Sequence, residues 1–299
     1  MPVEIIISQI FNGLSLSSIL LMIALGLSIT FGIMGVINFA HGEFLMIGAY
    51  TAFILQRFFH GQDSGYYFLL SLPLAFFVSA FIGLIVERSI IRFLYGRPFE
   101  GMLATWGLSL VLQQAARNIF GANNVEVSSP AWLNGGIEFI KGVQLPYNRL
   151  FIIAIAVICI IGMYIYIYTS SSGRRMRAVM QNRDMAACMG IKTRRVDSVT
   201  FAIGCGLAGI AGSVVSLLGS IGPSTGQNYI IDAFMVVVLG GVGNLSGTIA
   251  GAIMIGAVSP FFEFVTTSSM GKVIVFALVI AFLQWRPSGL FALKTRALD

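Results

Sequence analysis

The sequence predicts an all-α, polytopic membrane protein of about eight to ten transmembrane helices, and three observations carry that prediction. First, 57% of its 299 residues are hydrophobic and only 10% are charged, with a mean hydropathy of +0.89, whereas soluble domains carry roughly 25% charged residues. Second, apolar runs close to the ~20 residues needed to cross a bilayer recur from one end to the other. Third, no ten-residue segments alternate polar with apolar as in a membrane barrel, so helices must satisfy the backbone hydrogen bonds that lipid cannot. A single transmembrane domain over residues 1–299 follows.

In chain order the spans fall near residues 5–33, 44–59, 66–86, 102–120, 150–168, 200–220, 229–239, 248–265 and 271–285. The seventh is short for a crossing. The first lacks the basic region and small-residue cleavage site of a secretory signal and is expected to be a retained span. Thirteen of the 18 Lys and Arg then share one side: Arg88, Arg92 and Arg97, seven between Arg174 and Arg195, and Arg286, Lys294 and Arg296. Arg57, Arg117, Lys141, Arg149 and Lys272 fall on the other. The positive-inside rule predicts a cytoplasmic C-terminus and an outside N-terminus. This asymmetry accounts for the net charge of +6 without nucleic acid. Cys159, Cys188 and Cys205 all lie outside the long polar loop, so neither a disulfide framework nor a zinc site follows.

That extracytoplasmic loop, residues 121–148, places Gly135-Gly136 between short β-prone stretches with Pro130 and Pro146 nearby. It reads either as a small hairpin over the outer mouth or as a connector. Small residues over 204–212 mark helix faces suited to close packing.

Residues 169–198 form a basic cytoplasmic segment. Within it, Met176, Val179, Met180 and Ala187 recur at helical spacing and Gly190 suits a C-terminal cap, which predicts a short surface helix. Arginines could hold such a helix to anionic lipid. The spacing of Asp184, Met185, Ala186 and Gly190 instead resembles the acidic-Ala-Ala-x-x-x-Gly coupling motif of bacterial importer permeases, with Asp184 for the usual Glu and Met185 where Ala is typical.

Two further segments make the resemblance specific. Residues 31–43, with Gly35, Asn38, His41 and Glu43, and residues 238–247, with Gly240, Gly241, Gly243, Asn244 and Ser246, resemble signatures of the branched-chain amino acid permease family. The likeness runs through nearly the whole chain. Residues 87–98, 103–110 and 180–187 resemble its urea-transporting branch more than its leucine-transporting one. The resemblance implies a permease subunit of an ATP-binding-cassette importer in the bacterial inner membrane, moving urea or a similar small neutral amide; a branched-chain amino acid is the alternative solute. It implies as partners a homologous second permease, two cytoplasmic ATP-binding subunits and a periplasmic solute-binding protein, besides membrane lipid. ATP would be used by those partners, and no cofactor is expected on this chain. Arg183, Asp184, Ala186, Ala187 and Gly190 are the expected ATPase-coupling residues.

The remaining residues agree with transport and not with catalysis. The chain lacks a G-x-x-x-x-G-K-[ST] phosphate loop and an H-E-x-x-H motif, and its only histidines are His41 and His60. A charge buried in hydrocarbon usually faces a cavity or a partner, which singles out Glu43, Asp232 and Glu263. His41 and Glu43 lie either at the inner interface in water, on the solute path or in a helix pair; Asp232 and Glu263 read as interfacial. The expected solute path offers amides, hydroxyls and glycine backbone but no internal Arg or Lys to pair a carboxylate, which favours a neutral solute, although half-helix N-termini could bind a carboxylate without one. Finally, residues 35–40 followed by 46–49 echo residues 241–246 followed by 254–257. Either both turns end helices at the cytoplasmic surface, or both break helices inside the membrane and face each other across the solute path. The second reading makes Asn38, His41, Glu43, Asn244 and Ser246 pathway residues.

Overall fold

The computed structural model describes residues 3–59, 65–140 and 143–291; His60, Lys141, Lys294 and Arg296 lie outside them. The elements in order are α1 (Val3–Met34), α2 (His41–Phe58), α3 (Tyr66–Ser89), α4 (Pro98–Phe120), β1 (Gly136–Ile140), β2 (Val143–Pro146), α5 (Tyr147–Thr169), α6 (Ser171–Gln181), α7 (Arg183–Cys188), α8 (Thr193–Val215), α9 (Thr225–Gly240), α10 (Leu245–Val265) and α11 (Ser268–Trp285). Among the described residues the nine long helices overlap the nine predicted spans in order. Five helices, α1, α3, α5, α8 and α10, are long and apolar enough by themselves to cross a membrane. The other four depart for local reasons. Glu43 and Arg57 shorten the apolar stretch of α2 from its first and last turns, Glu100 and Arg117 do the same in α4, and α11 has 18 residues. Helix α9 has only 16 residues, about 24 Å against a ~30 Å hydrocarbon core.

Helix α1 is the axis of the bundle. It is apolar on every side, a pattern stable only where neighbours surround it, and Ile19, Met22, Ile23, Ala24 and Leu25 are fully buried among α5, α8, α9 and α10. Helix α8 reaches three neighbours through its small residues: Gly204 meets Gly26 of α1, Gly209 and Gly212 meet α2 at Gly48 and Leu45, and Gly206 faces Phe76 of α3. Missing side chains let these backbones approach. The lipid-facing surfaces carry Phe77 and Phe81 of α3, Ile158 and Ile161 of α5, and Val273 and Phe276 of α11.

At one end of the bundle the 121–148 loop is ordered. β1 and β2 pair antiparallel with Gly136 opposite Pro146. The expected glycine pair enters β1, where Gly135 takes a φ of 108°, and does not make the hairpin turn. Gln56 Nε2 donates to Ser128 Oγ at 2.8 Å, Trp132 Nε1 donates to the Gly65 carbonyl at 3.3 Å, and Val125 and Ile221 exchange backbone bonds at 2.8 Å. These bonds make the loop a cap on α2, α3 and the α8–α9 connection. The opposite end carries α6, α7, the α3–α4 connection and residues 286–291, and gathers most of the described basic residues.

Candidate functional site

The main irregularity of the bundle follows α1. Gly35 turns the chain with a φ of 63°, its N–H bonding the Phe31 carbonyl at 2.9 Å. Residues 35–40 then run back into the bundle beside α4. Phe39 N–H donates to Thr105 Oγ1 at 3.2 Å, and Thr105 Oγ1 lies 3.4 Å from the Ile37 carbonyl. Helix α2 begins at His41, whose Nε2 lies 3.2 Å from the Ile23 carbonyl. Ile23 precedes the end of α1 by about three turns, roughly 16 Å at 1.5 Å per residue. The start of α2 is therefore inside the bundle and not at its end.

Helix α9 starts at the same depth. Gly226, beside its first residue, packs directly on Gly42, and a Cβ on either would collide with the other's carbonyl. Two helix N-termini thus cross inside the molecule, each bringing the positive end of its dipole, while His41 and Glu43 N–H of α2 and Thr225 and Gln227 N–H of α9 bond carbonyls of their own turns. The position also explains why α9 is short: its missing turns are the descending connection from α8. Irregular backbone at membrane depth persists only where protein or a watery cavity surrounds it.

The polar side chains here are buried and incompletely paired. Glu43, 1% exposed, accepts through Oε1 from Ser109 Oγ and Gln113 Nε2, both at 2.8 Å. Glu43 Oε2, Asn38 Nδ2, His41 Nδ1 and Tyr50 Oη have no protein partner. Buried polar groups are normally bonded, so the three unpaired atoms of Asn38, His41 and Glu43 around one helix start form a hydrogen-bonding inventory suited to a polar solute, while Tyr50 lies more than two turns further along α2. Helix α4 supplies the facing wall. Its buried stripe is Gly101, Thr105, Ser109, Gln113 and Ala116, while Leu103, Trp106, Leu110 and Val111 point outward.

The predicted surface helix is two helices. Asn182 breaks it with φ −154° and ψ 109°, and its Oδ1 accepts from Met185 N–H at 3.0 Å, capping α7. Met176 and Val179 of α6 are buried, as expected, but on α7 the buried residue is Ala186 and Ala187 is exposed. A new helix start resets the angular phase, which moves Ala187 off the predicted stripe. Gly190 ends the segment at a φ of 81°.

Arg183 fixes α7 to the bundle. Its Nη1 donates to Asp197 Oδ1 at 3.2 Å and its Nη2 to Oδ2, forming a bidentate pair with a carboxylate that is fully buried. The guanidinium also lies 5.3 Å from the centre of the Tyr95 ring. Tyr95 Oη donates to Glu87 Oε1 at 2.7 Å, and Ser198 Oγ donates to Glu87 Oε2. Burial, and then this bond to Glu87, push the Tyr95 phenol up from its usual range. Through these bonds α7 is tied to α3, the α3–α4 connection and α8. Asp184, Met185, Ala187 and Met189 remain outside, with Met185 and Met189 61% and 80% exposed. Large exposed apolar side chains at a polar end mark an interaction surface, and methionine adapts readily to a partner.

The structure thus gathers Asn38, His41 and Glu43 in one place, inside the bundle and out of interfacial water. It puts Asn244 and Ser246 elsewhere. Asn244 Oδ1 caps α10 through Gly247 N–H at 3.2 Å, and its Nδ2 reaches the Phe291 carbonyl at 3.4 Å. It borders α6 at Arg177 and Met180, and Ser246 is exposed. The second echo turn therefore lies at the basic end and does not face the first across a path. The reason is the stacking of Gly240 on Gly247, which closes α9 onto α10 in a tight turn. Ser109, Gln113, Glu87, Tyr95 and Asp197 were not expected. Only the first two had a clear sequence signal, the polar or small residue at every fourth position of α4.

Comparison with known proteins finds relatives along nearly the whole chain. The family described as "Branched-chain amino acid transport system / permease component" matches residues 9–283. The chain is 32% identical to the high-affinity branched-chain amino acid transport system permease protein BraD of Pseudomonas aeruginosa, covering 95% of both chains. It is 30% identical to LivH of Escherichia coli K12, a permease protein of the same kind of system, over 95% of this chain and 94% of that one. A probable branched-chain amino acid transport permease protein of Methanocaldococcus jannaschii is 29% identical over 92% of this chain and 89% of its own. No solved structure matches.

Proposed function

The chain belongs to the family of branched-chain amino acid transport system permease components, and from that premise we propose that it is the membrane subunit of an ATP-driven importer for branched-chain amino acids. The observation that carries this reading is the crossing of the α2 and α9 starts inside the bundle, beside Asn38, His41 and Glu43. Helix N-termini bind a carboxylate without any basic residue, and the unpaired amide and carboxylate offer complementary bonds of about 1 kcal/mol each. Bonds that weak still permit release.

In this reading the basic end faces the cytoplasm, and α7 docks a partner ATPase through Asp184, Met185 and Met189. The remaining partners are a second, homologous permease, a second ATPase and a periplasmic solute-binding protein. The bacterial inner membrane is the location. Urea, which the sequence favoured, has no support among the relatives named above. Its main argument was the lack of an internal cation, and Lys272, with its side chain 47% exposed, supplies one only on a cavity wall among α9, α10 and α11, 3.1 Å from Asp232 Oδ2.

Uptake in cells stripped of other systems tests the solute. Labelled leucine is expected to enter in competition with isoleucine and valine, while labelled urea does not. Urea uptake without leucine uptake would overturn the choice of solute.

A further inference from the structure

Between the capped end and the α2/α9 crossing lies a cavity of about 410 Å³ bounded by α1, the α8–α9 connection, α9, α10 and α11. Thr225, the first residue of α9, lines it, so it opens directly above the crossing. Its wall combines two chemistries. Leu16, Leu20, Leu218 and Val275 make one side aliphatic, and Asp232, Glu263 and Lys272 bring charge to the other. Lys272 Nζ lies 3.1 Å from Asp232 Oδ2 and donates to the Asn228 carbonyl at 3.4 Å. Glu263 makes no ion pair among the described residues.

Glu263 also lines an adjoining cavity of about 370 Å³ with Asn12, Ser15 and Arg149. Arg149 donates to Asn12 there. Ser15 is 2% exposed and its hydroxyl has no protein partner. Charges within membrane helices are costly and stay where a cavity, a pair or a ligand compensates them. Here one ammonium and two carboxylates share a small space with an aliphatic wall. That combination suits a molecule that is itself a zwitterion with a short apolar body.

We infer that this cavity holds a zwitterion with a short branched aliphatic side chain, on the side of the α2/α9 crossing away from α6 and α7. The solute carboxylate takes Lys272, its ammonium takes Glu263 and Asp232, and its side chain lies on Leu16, Leu20 and Val275. The inference rests on the proposed import of branched-chain amino acids and adds to it a place where the solute waits. A phospholipid headgroup carrying an ammonium shares part of this chemistry, and the test separates the two.

The test labels a cysteine in the wall of the intact transporter, assembled with its ATPases and reconstituted in vesicles. Ser259→Cys places a thiol of similar size in the cavity lining, in a background where the exposed Cys188 is replaced by serine. Reaction with a small polar thiol reagent is followed at position 259 by mass spectrometry. Leucine at about ten times its dissociation constant is expected to slow labelling about tenfold, by simple occupancy, and urea to leave it unchanged. Lys272→Gln and Glu263→Gln should each abolish the protection, and Lys272→Arg should restore it. Protection that survives Lys272→Gln would overturn the inference, as would a thiol that never reacts. A labelling rate that changes when phosphatidylethanolamine replaces phosphatidylcholine but ignores leucine would assign the cavity to lipid and overturn it too. Leucine uptake by the same vesicles separates the two levels: uptake without protection rejects the holding site alone, and no uptake rejects the import of leucine itself.

Discussion

An Arg183→Met variant is expected to lose most of its solute-stimulated ATP hydrolysis. The substitution leaves the Asp197 carboxylate buried with no cation, and breaking a buried ion pair costs about 3–5 kcal/mol. The Arg183 side chain is 37% exposed, so water screens part of the attraction and the lower end applies. Arg183 is a positioning residue in this account: it holds the capped start of α7 against α8 and the Tyr95 ring, so its loss frees the docking face. Asp184→Arg should uncouple by a different route, reversing charge on the face itself while leaving the Arg183–Asp197 pair and the melting temperature unchanged. Assays of stimulated ATP hydrolysis and thermal stability on both variants separate the routes. Normal stimulation in both would remove α7 from the coupling role.

Glu43→Leu is expected to lower uptake by about a hundredfold or more. Hydrogen bonds to a charged group contribute about 1.5–3 kcal/mol each, and the substitution removes the shared acceptor of Ser109 Oγ and Gln113 Nε2 in a buried wall, leaving them only their mutual bond at 3.1 Å. About 1.4 kcal/mol corresponds to a factor of ten. Glu43→Gln keeps an acceptor for the α4 groups and should retain the fold with a loss of roughly tenfold. Initial uptake rates at equal surface expression provide the comparison. Wild-type rates in Glu43→Leu would show that the crossing region does not carry solute.

What was legible in the sequence was largely what one-dimensional patterns encode. Apolar runs located the nine long helices, and the glycines of α8 announced close contacts. The coupling segment was visible as a basic amphipathic stretch, but its division at Asn182 was not, because the apolar stripe of α6 masked the phase reset at the cap. Depth was hidden altogether. Asn38 and Asn244 sit in similar local sequences, yet one follows a segment that climbs beside α4 and the other closes a surface turn. The difference arises from long-range contacts, Thr105 with Phe39 in the first case and Gly240 with Gly247 in the second. The pairing of Arg183 with Asp197, and of Lys272 with Asp232 across 40 positions, likewise depends on tertiary approach. The polar stripe of α4 was available: a repeat of four among lipid-facing leucines predicts a wall turned toward something polar.

In the proposed function, this chain is expected to move leucine-class solutes only when partner ATPases drive it. The direct measurement is labelled leucine uptake into vesicles holding either the complete assembly or this chain alone, with and without ATP, in the presence of the binding protein. Leucine accumulation that requires both ATP and the partner subunits is the expected result. Leucine flux through the isolated chain without ATP, or ATP-driven uptake of urea with none of leucine, would contradict the account.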